Sequence, residues 1–273
     1  MINTNIYHKE LKQNRNSFIG WSISVSALIL LGMALYPVFI RGDMFTQMTP
    51  LLESPFMKKL MSGSGMSLDV LTNILGYYAF RNVVLIMLLG SFFSILLAGK
   101  ILAQEEFEKT ADFLIAKPVT RMEIVWSKLA AFFTYLVMLN VIILLIGFIS
   151  LEIFKGDSDY RPAAFLILTF YSFLLMLTYG AIGLFLSLWI KRGRPITGIS
   201  IGIILGGYLL DALSKITKSV DKIGYVSPFK FVDAEVLRPD YCLEWWRVLY
   251  FLGISLVLFT LAFVIYKRKD ILI

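Results

Sequence analysis

Six separate runs of predominantly apolar residues punctuate this chain, at about 18–40, 79–102, 124–151, 163–190, 196–213 and 246–266. An α-helix needs about 20 such residues to cross the roughly 30 Å hydrocarbon core of a bilayer. The runs are continuously apolar rather than alternating, so they predict helices and not barrel strands. Composition agrees: 58% of the 273 residues are hydrophobic and 16% charged, against about 45–50% and 25% in soluble domains. A soluble fold of this size has too much surface to hide that apolar excess. Disordered, collagen-like and disulfide-scaffold classes are excluded by the same figures. The expected fold class is an all-α membrane protein with six transmembrane helices in a single polytopic domain over 1–273. The first run is too long for a signal-peptide core and ends on Pro37-Val38-Phe39-Ile40-Arg41, with no small-residue cleavage site, so it is expected to remain as the first span.

An even number of spans puts both termini on one side. Short basic clusters flank the spans on that side: Lys9, Lys12 and Arg15; Lys191, Arg192 and Arg194; Lys267, Arg268 and Lys269. The positive-inside rule then predicts a multi-pass protein of the cell membrane with cytoplasmic termini. Anionic headgroups account for the net charge of +7 without nucleic acid, and no basic patch interleaved with aromatics or zinc-finger spacing suggests a nucleic-acid partner. The single histidine, His8, has no neighbouring metal-ligand types, and the single cysteine, Cys242, has no internal disulfide partner.

Two polar segments carry the functional signal. Over 4–17, Ile6, Tyr7 and Leu11 fall near one face with Lys9, Lys12 and Arg15 turned away, which predicts an N-terminal amphipathic helix at the interface. Between spans 2 and 3, Thr110 is placed to cap a short helix carrying Phe113 and Leu114, and Pro118 stops it at Lys117. Thr120-Arg121-Met122-Glu123 then matches a capping box opening span 3. A connector needs only a few residues. Apolar side chains on so long a segment read either as a docking surface for a cytoplasmic partner or as a helix resting on the bilayer.

The run Glu105-Glu106-Phe107-Glu108-Lys109-Thr110, then Phe113-Leu114, Lys117-Pro118-Val119-Thr120-Arg121, Glu123-Ile124 and Lys128 resembles the cytoplasmic signature of type-2 ATP-binding-cassette (ABC) transporter permeases. Three further stretches extend the likeness over nearly the whole chain: His8-Lys9-Glu10-Leu11-Lys12 with Arg15 and Ser17, Ser227-Pro228-Phe229, and Tyr266-Lys267-Arg268-Lys269-Asp270-Ile271. Thr120 stands where Ser is common in that family. The resemblance implies the membrane subunit of an exporter-like ABC transporter, paired with two copies of a separate nucleotide-binding ATPase and with a second permease copy or homologue. Glu105, Glu106, Thr110, Phe113, Leu114, Pro118 and Arg121 would then form the coupling element received by the ATPase. ATP and Mg would sit on that partner, because this chain has no G-x-x-x-x-G-K-[ST] loop; Gly63-Ser64-Gly65-Met66-Ser67 lacks the lysine.

Enzyme readings fare poorly. Glu105-Glu106 evokes the paired glutamates of membrane-embedded CAAX-type proteases, but Thr110 stands where their arginine is required, and no histidine lies within a span. A secondary transporter or channel is the rival reading. Polar groups within spans are few: Asn140 either lines a pathway or bonds a neighbouring helix, and Asp211, near the outer end of the fifth run, is shallow enough to be hydrated and serves either a structural or interfacial role or a pathway. Gly198, Gly202 and Gly206 make two consecutive GxxxG units, a groove for close helix approach that serves either a permease dimer seam or packing within one subunit. Outer segments at about 41–78 and 214–245 exceed simple connectors, the first with helical apolar spacing over 51–61 and the second with Lys215, Lys218 and Lys222 on one face.

Overall fold

The computed structural model describes residues 2–41, 50, 54, 68–107, 120–156, 158–189, 196–216 and 221–268. Six helices are long and apolar enough to cross a membrane: Thr4–Val38, Ile74–Ile101, Met122–Phe154, Pro162–Ser187, Thr197–Lys215 and Trp245–Lys267. These are spans 1 to 6, and each coincides with one of the six apolar runs. No β-strand occurs among the described residues.

Local chemistry sets the helix ends. Asn3 caps span 1, its Oδ1 accepting from the N–H groups of Asn5 and Ile6. The helix then runs unbroken through Thr4–Ala34. A helix is therefore present over 4–17, where an amphipathic interface helix is expected, and it continues into span 1 without a break. At about 1.5 Å per residue, these 31 residues make a rod of about 46 Å, well beyond the roughly 30 Å core. It ends where Pro37 removes a backbone donor, and a short helix, Tyr36–Arg41, follows Leu35. The capping box at the head of span 3 forms as its sequence predicts: Thr120 Oγ1 accepts from Glu123 N at 3.2 Å, and Glu123 Oε2 accepts from Thr120 N at 2.9 Å. Span 3 gives way to span 4 through Gly156 at φ 56°, the left-handed region that suits glycine, and Pro162 then occupies the first turn of span 4.

Spans 2 and 4 form the centre, with 67% and 72% of their most apolar windows buried inside the chain. Their contact is the most extensive in the molecule. Glycines on span 4 permit it: a Cβ on Gly183 would meet Ile95 O at 2.4 Å, and one on Gly180 would meet Ser94 Oγ at 2.6 Å. Ser94 Oγ adds a hydrogen bond to Met176 O at 2.6 Å. Span 1 lies along span 3, joined by the tilted rings of Phe18 and Tyr135 (4.8 Å) and the Tyr7–Thr134 hydroxyl pair (3.0 Å). Span 6 packs on span 4, where Thr178 and Ser255 hydroxyls meet at 3.1 Å. Spans 5 and 6 are peripheral, each with only 22% of its window buried.

At the end of the bundle opposite both termini, residues 221–245 form an ordered cap. Asp233, Arg238, Glu244 and Arg247 interlock through ion pairs of 2.7–3.5 Å. Tyr171 of span 4 accepts from Glu244 N at 2.9 Å, fastening the cap to the central helix.

Candidate functional site: the junction of spans 1, 2 and 3

The sequence points to the segment between spans 2 and 3, and the described structure supplies its two flanks. Span 2 remains helical to Phe107, so the backbone of Glu105 and Glu106 lies in its final turn. Arg121 opens the span 3 helix, directly after the Thr120 cap. Thr110, Phe113, Leu114 and Pro118, and with them the expected short coupling helix, lie outside the described residues, as does the helix expected over 51–61.

Two turns into span 3, Lys128 enters the protein interior. Its side chain is 1% exposed, its ammonium donates to the carbonyl of Ile101 on span 2, and it pairs with Glu10 Oε1 of span 1 at 3.3 Å. Glu10 is also 1% exposed, and Asn14 Nδ2 donates to the Glu10 carbonyl at 3.0 Å. Ser127 reinforces the junction: its Oγ donates to Glu123 O (2.6 Å) and accepts from Asn3 N (2.7 Å). Tyr135, about two turns further along span 3, donates to the Leu11 carbonyl. Three elements thus meet at one buried ion pair. Desolvated charges of this kind persist only with tight pairing and additional hydrogen bonds, and both are present here.

The segment 108–119 leaves one arm of the junction and rejoins another through a reciprocal cap. Spans 2 and 3 are tied at Lys128 and Ile101 just behind those attachment points, and span 1 is tied to both through Glu10. The ends of this segment are thus attached to three helices joined at one junction. The sequence signal for Glu10 lay in plain spacing: Ile6, Glu10, Asn14 and Phe18 are all buried on one stripe of span 1. Taking Ile6, Tyr7 and Leu11 as the apolar face hides that stripe, because a carboxylate and an amide interrupt it.

The other singled-out residues lie elsewhere. Asn140 is buried between spans 3 and 4, where Nδ2 donates to Leu136 O at 2.8 Å and approaches Met176 Sδ at 3.5 Å. Asp211 is buried, 5% exposed, rather than open to solvent. Its Oδ2 pairs with Lys215 at 2.8 Å, one turn along span 5. Gly198, Gly202 and Gly206 have no described atom within 4 Å of where a Cβ would stand. Their face of span 5 is open among the described residues, whereas Gly207 faces the Tyr179 hydroxyl, 2.7 Å from where its Cβ would be.

None of the curated proteins matches this chain. The sequence model of one family does, that described as ABC-2 family transporter protein, over residues 4–271. That match begins at the first residue of the span 1 helix, takes in the junction and all six spans, and runs past the end of span 6. With six membrane helices arranged around it, the chain belongs to the ABC-2 family of transporter proteins.

Proposed function

We propose that this chain is the permease subunit of an ATP-driven exporter, working with a separate ATPase that binds ATP and Mg. The observation that carries the reading is the family match over residues 4–271. The buried Glu10–Lys128 pair supports it further, since it ties the helices flanking 108–119 into one unit. In this reading the termini are cytoplasmic, and the stretch from Glu105 to Arg121 is the element on which the ATPase acts. Phe113 and Leu114 fill an apolar groove on the ATPase, while Glu105, Glu106 and Arg121 set its register by charge. Closure of two ATPase subunits displaces the junction and biases the spans between inward- and outward-facing states.

The pathway lies between two permease copies, or between this chain and a homologue. Spans 5 and 6 bury little of themselves within one copy, and the Gly198, Gly202 and Gly206 face is open, which supports span 5 as the seam. The test is co-purification of the tagged chain with an ATPase from its native membrane, followed by ATP hydrolysis and transport assays on Leu114→Asp and Arg121→Glu. Both variants are expected to insert normally while hydrolysis and transport become uncoupled. Unchanged assembly and transport in both would remove the coupling assignment.

A further inference from the structure

Span 2 carries a charge that permease coupling does not use. Arg81 lies inside the span, on the π-helical turn Tyr78–Val83, and its side chain is exposed on the helix flank. Such turns break the regular register of a helix and are frequent at functional positions. Among the described residues, the Arg81 guanidinium makes one hydrogen bond, from Nη1 to the Tyr77 hydroxyl at 3.0 Å. Tyr77 in turn donates to Gly32 O of span 1 at 3.3 Å, so the arginine is fixed over the seam between spans 1 and 2. A guanidinium offers five donors, and most of them remain available here.

Depth matters as much as charge. The 28 residues of span 2 extend about 42 Å as a helix, more than the roughly 30 Å of hydrocarbon. Arg81 is seven positions from Ile74 at the end opposite the termini, about 10 Å along the helix axis. That places it near the boundary between headgroups and acyl chains of the leaflet opposite the termini.

Directly inward from Arg81 runs a shallow surface furrow, open along one side. Val25, Leu28 and Ile29 of span 1 and Leu85, Ile86 and Leu89 of span 2 line it. At its head, Asn82 bridges the two helices: Nδ2 donates to Ile29 O at 3.4 Å, and Oδ1 lies against Gly32 with no hydrogen-bond donor. A cation at the headgroup boundary, with an apolar channel leading from it toward the bilayer centre, has the polarity of one molecule type. We propose that this seam binds an anionic glycerophospholipid of the leaflet opposite the termini, its phosphate on Arg81 and one acyl chain in the groove. Arginine suits the role because its planar fork matches phosphate oxygens in pairs.

The test uses the full-length chain in detergent, with lipid retention followed by native mass spectrometry. Phosphatidylglycerol is the probe, diacylglycerol with the same chains is the phosphate-free control, and soluble glycerol phosphate is the competitor. Wild type should retain phosphatidylglycerol over diacylglycerol, and Arg81→Gln should lower that retention about tenfold, the value of one charge-assisted contact. Leu85→Trp, which fills the groove and leaves the arginine in place, should lower it as well. Arg81→Lys, with charge but no fork, should fall between, and it serves as the readout if Arg81→Gln does not fold. Equal retention by wild type and Arg81→Gln overturns the proposal. So does competition by glycerol phosphate, or indifference to Leu85→Trp, since either would make this a bare anion site. Because retention is read without ATP or a partner, failure here leaves the permease reading intact, and failure of that reading leaves this one testable.

Discussion

A lysine and a glutamate, each 1% exposed and 3.3 Å apart, concentrate the most consequential electrostatics of the chain at one point. Removing one member strands a buried charge, which costs about 3–5 kcal/mol. Lys128→Ala and Glu10→Ala are each expected to lower the thermal unfolding midpoint in detergent sharply. The exchanged pair Glu10→Lys with Lys128→Glu should recover part of the loss, and a double variant no better than the singles would show that the pairing itself contributes little. In the sequence, Lys128 is visible as the end of a permease-like signature and Glu10 as part of another stretch. What the sequence does not display is that the two meet, because contact between distant positions is a property of how spans 1 and 3 pack. Asp211 differs for a related reason. Its place near a helix end suggests hydration, but neighbouring segments cover it and leave Lys215 as its counter-charge.

The helices themselves were the most legible elements, since span length and end chemistry are local. Six apolar runs became six helices, and the capping box at Thr120 and Glu123 formed as written. Helix-to-helix approach was less legible. Gly198, Gly202 and Gly206 draw the eye by their spacing, yet the close approach within the chain occurs at Gly180 and Gly183 of span 4. There the obstacle is partly backbone, which cannot rotate aside. Gly183→Val is therefore expected to cost about 3 kcal/mol, the upper end of ordinary overpacking, in a denaturation series that compares it with Gly253→Ala, a site open to its surroundings. The cap over 221–245 makes a pH prediction. Hydrogen bonding from Arg247, ahead of the opposing effect of burial, holds the Glu244 carboxyl below the usual carboxylate range. A depressed folded value means that its stabilisation is fully present above the ordinary carboxylate range and is lost as pH falls through the depressed one. Melting of wild type should thus weaken on acidification more than that of Glu244→Gln, and parallel acid profiles would contradict the assignment.

On the scale of the whole molecule, burial is uneven: spans 2 and 4 are enclosed, while spans 5 and 6 keep most of their surface outside the chain. Lipid alone satisfies such a surface, since hydrocarbon tails are as apolar as leucine, so exposure does not by itself demand a partner. A glycine face with nothing against it among the described residues is a narrower statement, because it gives up side-chain packing that only a close backbone would restore. Gly202→Leu is accordingly expected to leave the unfolding of the single chain unchanged while weakening association between copies, as read by crosslinking or by mass in detergent. Association equal to wild type would move the seam elsewhere.

Span 1 adds something that belongs to neither end of the molecule. Its unbroken helix joins Glu10, at the junction with spans 2 and 3, to Gly32, which lies against Asn82 and accepts from Tyr77 beside Arg81. A straight rod of about 46 Å turning by about 5° on its midpoint swings each tip by about 2 Å, in opposite directions. A Cβ added at Gly32 would stand only 2.1 Å from Asn82 Oδ1, so the far tip packs closely against span 2. Were span 1 to turn as one body, a push at one face of the membrane would move its tip at the other face the opposite way, without any relay of side chains between them.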